Sequence, residues 1–145
     1  MAGKTFKLEQ VLLYRREMEK LRKQEFATAR HGVEQANQVL ENKKEQVERL
    51  SQDFHRCQQD IECIDDIRMY SNFFAHKREE IKQQKEHIEH LDRIMNEKRS
   101  DLMEASKEKK VLESLREKKA EEFRKDMAAK ERNFLDEISI QKKVK

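Results

Sequence analysis

Apolar residues recur along the first half of the chain at spacings that alternate between three and four residues. The clearest series lasts more than four heptads and has one polar member, Lys43. This alternation is the a/d repeat of a coiled coil, whose residues form a seam that faces a partner helix. The predicted seam is Val33, Ala36, Leu40, Lys43, Val47, Leu50, Phe54, Cys57, Ile61 and Ile64.

A shorter apolar series precedes this one. It joins the main series through Glu25 and Ala29 with consecutive spacings of four residues. Such a spacing is a four-residue stutter, which locally unwinds the supercoil and straightens the helix pair. The members of this upstream series are Val11, Tyr14, Met18 and Leu21.

The second half of the chain carries its own seam with the same alternation but with more polar members. The predicted positions are Ile67, Tyr70, Phe74, Lys77, Ile81, Gln84, Ile88, Leu91, Met95, Lys98, Leu102, Ala105, Lys109 and Leu112. Beyond Leu112 the pattern continues only with extra gaps of four. Its later members are Arg116, Ala120, Phe123, Met127, Glu131, Phe134 and Ile138.

The segment 59–66 is the best candidate for a break between two helices. It holds Asp60, Asp65 and Asp66, and aspartate has low helix propensity and favours turns. Asp65 and Asp66 also suit the first turn of a second helix, where the helix dipole favours acids. We therefore predict an all-α fold within a single coiled-coil domain, residues 1–145. Two long helices form an antiparallel coiled-coil hairpin, with helix 1 at about 5–59, a turn at about 60–63, and a longer helix 2 at about 64–141.

This hairpin brings Phe6 opposite roughly Lys118, so the last part of helix 2 projects past the N-terminus and needs a partner to cover its apolar side chains. The alternative is one continuous helix through 57–70 in a parallel dimer, a rod about 200 Å long. Heptads alone do not fix the number of chains.

The amino-acid composition argues against several folds and the functions that depend on them. Charged residues make up 43% of the chain and apolar residues 35%, with two Gly and no Pro. A β-sandwich, a Rossmann domain or a P-loop needs more turn residues and glycines than this. The net charge of +3 is interleaved along the chain, so nucleic acid is not an expected partner. The longest apolar run, 11–14, is too short for a membrane span or a signal peptide, which predicts a cytoplasmic protein without membrane insertion.

Catalytic and metal chemistry also find little support. No serine is flanked by glycine, so a nucleophile elbow is absent from the sequence. His87 and His90 could share one helix face, but a metal site needs a third ligand and a dry pocket. The six-residue spacing of Cys57 and Cys63 is not that of a metal knuckle, and reduced thiols are expected. We predict no enzyme activity, no metal and no cofactor.

Two regions carry more apolar residues than a coiled-coil seam requires. Met69 and Phe73 lie one residue out of register beside the seam residues Tyr70 and Phe74, which makes Phe73 a candidate partner contact or a widening of the apolar stripe. The second surface lies at the end that carries both termini, where apolar residues meet a lysine-rich stretch. Such an end suits a protein ring with an acidic or polar pore. Its residues are Phe6, Leu8, Val11, Leu12, Leu13, Lys107, Lys109, Lys110, Leu112, Leu115, Arg116, Lys118, Lys119 and Phe123.

Several motifs in the expected order resemble the family of the flagellar export protein FliJ. The start has Phe6-x-Leu8-x-x-Val11-Leu12-x-x-Arg15, and the middle has Tyr70-x-x-Phe73 followed by Ile81 and Gln83-Gln84. The end is the most similar part, with Lys109-Lys110-x-Leu112-Glu113-x-Leu115-Arg116-Glu117-Lys118, then Phe123, Glu131 and Leu135-Asp136-Glu137-Ile138. The resemblance covers nearly the whole chain.

The resemblance implies a coiled-coil stalk, similar to that of the rotary ATPase γ subunit, which works at the cytoplasmic side of the membrane in flagellar type III export and hence in motility. Family members bind a hexameric export ATPase, promote its assembly and activity, contact the cytosolic part of the membrane export gate, and escort export chaperones. The implied ATPase-binding positions are Phe6, Leu8, Leu12, Arg15, Leu115, Arg116, Lys118, Lys119 and Phe123. The implied gate-binding positions are Met69, Phe73, Lys77, Glu80 and Gln84.

Alternatives remain at this point. The equivalent stalk of a virulence injectisome has the same pattern, whereas a structural dimer predicts the continuous rod. A nucleic-acid-binding helix pair predicts an affinity that falls steeply with salt. A metal enzyme built on His87 and His90 predicts bound metal. The hairpin itself is expected to be monomeric when free.

Overall fold

The computed structural model describes residues 7–58 and 64–144. Helix α1 runs Glu9–Cys57 and helix α2 runs Ile64–Val144, and no strand occurs in these two stretches. Helix α1 begins a few residues later and ends slightly earlier than predicted, whereas α2 begins at the predicted residue and ends slightly later. The predicted turn at 60–63 lies outside the described residues.

The helix ends carry charges that favour them. Glu9 lies in the first turn of α1, and Asp65 and Asp66 lie in the first turn of α2, where they oppose the positive end of the helix dipole. Lys142 and Lys143 occupy the last turn of α2. Neither described helix has a stretch long and apolar enough to cross a membrane.

The chain divides into two compact units, each of which pairs a part of α1 with a part of α2. Unit 1 comprises residues 1–22 and 102–145. Its helices are antiparallel, because Glu9 pairs with Arg116 while Glu19, farther along α1, pairs with Lys109. Leu12 is 0% exposed and Ala105 is also buried.

Unit 2 comprises residues 23–101, and its helices are also antiparallel. Glu25 pairs with Lys98, the carbonyl of Ala36 accepts a hydrogen bond from Gln84, and Phe54 packs against Tyr70. Buried Val33, Ala36 and Leu40 form the core of this unit. The predicted fold class, all-α with two long antiparallel helices of which the second is longer, is therefore confirmed, and the continuous helix of the parallel rod is wrong.

The predicted seam at the start of α1 is wrong by one residue. Val11, Tyr14 and Leu21 are exposed, and Met18 is only half-buried. Instead, one set of buried and half-buried positions keeps an unbroken alternation of three and four back from Val33, so this set has no stutter. They are Leu12, Arg15, Glu19, Arg22, Phe26, Ala29 and Val33. Polar residues can hold these positions because α2 offers them charged partners.

The predicted seam of α2 is confirmed from Tyr70 to Leu112, since every member is buried or half-buried. It fails near the break between the helices. Cys57 and Ile67 are exposed, Ile64 is 70% exposed, and Ile61 lies outside the described residues. The outermost ring contacts across the two helices join Phe54 to Tyr70 and Phe74, so among the described residues the packed seam stops there.

Candidate functional site

The residues with an implied ATPase-binding role lie in unit 1, apart from Phe6, which lies outside the described residues. Leu8, Leu115 and Phe123 are exposed apolar side chains, and Lys118 and Lys119 are exposed cations on the same stretch of α2. We call these five residues the end surface. Apolar side chains beside lysines can bury their carbon atoms against a partner and keep their charges at the rim.

The other three implied ATPase-binding residues are engaged within unit 1. Leu12 is fully buried, so its side chain packs the helix pair and is not accessible. Arg15 forms an ion pair with Glu108, and the guanidinium of Arg116 lies 3.4 Å from the carboxylate of Glu9. Of these three residues Leu12 alone is inaccessible, since the side chains of Arg15 and Arg116 stay 36% and 48% exposed despite their ion pairs.

Helix α2 continues well beyond the ion pair that joins Arg116 to the first residue of α1. In this part of α2 the described residues are exposed almost without exception, and they include several large apolar side chains. No described α1 side chain forms an ion pair or a ring contact with them. These exposed large apolar residues are Phe123, Met127, Phe134, Leu135 and Ile140.

The implied gate-binding residues all lie in unit 2, on or beside the seam of α2. Met69 is 61% and Phe73 45% exposed, which is a large apolar area for two neighbouring residues. The remaining three are occupied by contacts within the unit. The amide of Gln84 donates to the carbonyl oxygen of Ala36 at 2.9 Å, and Lys77 and Glu80 contact each other.

The ammonium group of Lys77 lies close to the ring of Phe73. Its side chain is only 16% exposed, and its ammonium donates to Gln46 Oε1 at 3.0 Å and to Glu80 Oε2 at 3.1 Å. The same ammonium lies 5.5 Å from the centre of the Phe73 ring, within the range of a cation–π contact. His76 Nε2 lies 3.0 Å from the other oxygen of Glu80. This network fixes the position of Phe73 on the surface.

The hydrogen bond from Lys77 lowers the pKa of Glu80 below its ordinary value of 4.5, although partial burial opposes the change. Because the folded pKa is the lower one, the ionised carboxylate stabilises the folded chain above pH 4.5, and this contribution is lost as the pH falls through the folded pKa. The network is therefore weakened by acid.

Glu80→Gln is expected to lower the Tm at about pH 7 and to lower it less at about pH 3, where more of the wild-type carboxyl is protonated. Thermal unfolding followed by circular dichroism at both pH values measures this. Glu79→Gln is the matched control, since Glu79 is exposed and has no described partner. An equal loss of Tm at both pH values would show that Glu80 acts through packing rather than charge.

An aromatic cluster closes the seam of unit 2. The ring of Phe54 meets Tyr70 edge-on at 5.1 Å and Phe74 at 6.3 Å between ring centres. Desolvation raises the pKa of Tyr70, and the neighbouring Cys57 and Asp53 add to the shift. The sequence identified all three rings as seam residues. The sequence pattern does not predict the groove beside these rings, because residues of both helices form it.

No group of three or more potential ligands that could hold a metal occurs in the part of the chain that the structure describes. His87 and His90 are both exposed on α2. The candidate residues that the structure describes thus fall into two groups, one in each unit.

A family model described as Flagellar FliJ protein matches residues 4–143, nearly the whole chain. No significant match was found among curated proteins or among solved structures.

Proposed function

The chain belongs to the flagellar FliJ family, and on that premise we propose that it is the stalk that binds the hexameric ATPase of flagellar type III export. Membership makes it a coiled-coil component of flagellar protein export. In our proposal it promotes assembly and activity of the ATPase, and links it to the cytosolic part of the export gate and to export chaperones. The observation that carries the proposal is the unpaired end of α2, with its exposed apolar residues, in unit 1.

The end surface is the proposed ATPase contact. Leu8, Leu115 and Phe123 supply apolar anchors, which are the side chains that dominate binding when a partner buries them. Lys118 and Lys119 supply a basic rim that suits an acidic or polar pore. Leu12, Arg15 and Arg116 hold the two helices together beneath this surface. Phe6 joins the set through the family motif.

The double variant Leu115→Ser, Phe123→Ser is expected to raise the concentration needed for half-maximal stimulation of the export ATPase about tenfold or more. Both residues are exposed, so the Tm should change little. ATP hydrolysis titrated with each variant measures the effect. Met103→Ser is the control, because Met103 is an exposed apolar residue of unit 1 outside the end surface. Equal weakening by the control would contradict the assignment.

The proposed gate contact consists of Met69 and Phe73, with Lys77, Glu80 and Gln84 as their support. Phe73 offers an exposed ring that is already held in place by Lys77. Preorganisation of this kind reduces the entropy lost when a partner binds. Met69, one turn earlier on the same face, adds a flexible apolar neighbour.

Phe73→Ala and Phe74→Ala are expected to separate binding from stability. Phe74 is half-buried against Phe54, so its truncation should cost about 1–3 kcal/mol, less than a fully buried Phe. Phe73→Ala should leave the Tm nearly unchanged and weaken binding to the purified cytosolic gate domain. Urea unfolding and a binding titration measure both quantities. Equal destabilisation by the two variants would overturn the register assigned to α2.

The remaining parts of the proposal follow from the family and the composition. We place the protein in the cytoplasm, peripherally at the membrane export apparatus, as a single coiled-coil domain that is monomeric when free and has no catalytic activity. Its contribution to motility is through export. The family match favours the flagellar system over the injectisome counterpart.

A further inference from the structure

Unit 2 contains a groove of about 460 Å³ that neither the end surface nor the proposed gate contact uses. It runs between the helices next to the aromatic cluster. Its walls combine apolar and aromatic residues of both helices with the hydroxyls of Tyr70 and Ser71 and one guanidinium. The lining residues are Val47, Phe54, Ile67, Tyr70, Ser71, Phe74 and Arg78.

The floor of the groove is preformed. The edge-on contacts of Phe54 with Tyr70 and Phe74 fix the three rings against one another. Ile67 stands at one end and remains 49% exposed. An apolar side chain that entered the groove would therefore meet a rigid aromatic surface without first ordering it.

The groove and Phe73 lie on opposite sides of the α2 seam. At about 100° per residue, Ile67, Ser71 and Arg78 fall within about 40° of one another around the helix axis. Phe73 and Met69 lie about 120° or more from Ile67 on the other side. A partner in the groove would thus leave the Phe73 side of α2 accessible.

Arg78 gives the groove its chemical selectivity. Among the described residues Arg78 has no ion-pair or hydrogen-bond partner, whereas the preceding residue, Lys77, is paired with Glu80. A guanidinium at the rim of an apolar groove favours a carboxylate, which it can bind with two parallel hydrogen bonds. Ile67 and Arg78 are eleven positions apart, about 16 Å along the helix, which is the length of roughly three turns of a partner helix.

We propose that this groove docks an amphipathic helix of a protein partner, with apolar residues over the aromatic floor and a carboxylate on Arg78. Apolar anchors spaced at one helical turn are the usual way in which a helix fills a groove of this kind. The groove is a second protein-binding surface of unit 2, separate from the proposed gate contact and independent of it.

The probe is a synthetic fourteen-residue helical peptide with Leu at positions 2, 5 and 9 and Glu at positions 12 and 13, compared with the same peptide carrying Lys at 12 and 13. Each is titrated into the full chain labelled with ¹⁵N. The Glu peptide should shift the amide signals of Ile67, Ser71 and Arg78 and bind about fivefold or more tightly than the Lys peptide.

Three variants, all at exposed positions, test the assignment. Ile67→Asp should abolish binding, because it places a carboxylate in the apolar floor opposite an acidic peptide. Arg78→Ala should weaken the Glu peptide about fivefold and leave the Lys peptide unchanged. Phe73→Ser should bind the two peptides with the same affinities as the wild type, because Phe73 lies on the opposite side of the α2 seam from the groove.

Several results would overturn the proposal. These are the absence of binding, equal affinity for the two peptides, or retained binding by Ile67→Asp. A concentration-dependent shift of the same amides without peptide would show that a second copy of the chain, and not a partner helix, fills the groove.

Discussion

Replacing Leu12 with alanine is expected to lower the free energy of unfolding by about 2–4 kcal/mol. Leu12 is the one large side chain that the described part of the fold buries completely, and it packs between α1 and α2 of unit 1. Truncation removes apolar contacts and leaves a cavity that a helix pair with charged neighbours fills poorly. The midpoint of urea unfolding, with an unchanged m value, measures the loss.

Val11→Ala is the matched control for Leu12→Ala. Val11 belongs to the seam that the apolar residues of the sequence favour, yet it is 42% exposed. Its truncation should cost less than about 1 kcal/mol. The reverse order, with Val11→Ala the more harmful, would restore the seam through Val11 and contradict the packing of unit 1.

Glu19→Ala is expected to destabilise the chain by about 2–3 kcal/mol. Glu19 is 6% exposed, and both of its carboxylate oxygens contact the ammonium of Lys109, at 2.9 and 3.0 Å. Ser106 Oγ donates a further hydrogen bond at 2.9 Å. Removal of the carboxylate leaves a largely buried ammonium without this partner, and that loss accounts for most of the expected cost.

A double variant distinguishes the charge pair from simple packing. Glu19→Leu combined with Lys109→Leu should be as stable as the wild type or more so, because two packed leucines avoid the desolvation cost of both charges. Urea unfolding of the four members of this cycle gives the coupling energy directly. If the single variants lose little and the coupling is near zero, Glu19 does not hold the helix pair together.

The burial of Leu12 and Glu19 shows how far the sequence could predict the fold. The a/d spacing predicts the seam of α2 from Tyr70 to Leu112 correctly. It does so because the repeat continues through the polar positions Lys77, Gln84 and Lys109. At the start of α1 the predicted series Val11, Tyr14, Met18 and Leu21 also alternates at three and four, but its phase is one residue away from the buried positions. The spacing of the main series, continued back from Val33 without a stutter, gives the buried set, since a charged residue can occupy the seam when the opposite helix supplies its partner.

The candidate site could be predicted only in part. The exposed positions of Phe73 and Phe123 follow from their places beside or beyond the seam. The roles of Lys77, Glu80 and Arg15 could not be read from the sequence, because they depend on which side chains of the two helices meet. The groove at Arg78 could not be predicted from the sequence for the same reason, since it is formed by residues of both helices.

The rate of ATP hydrolysis by the cognate flagellar export ATPase tests the central proposal most directly. The assay is run with the ATPase at limiting concentration, where most of it is not hexameric, with and without the full chain. The proposal predicts a higher rate together with a larger hexamer fraction. An unchanged rate, with an ATPase that is active and forms hexamers at higher concentration, would contradict the stalk function.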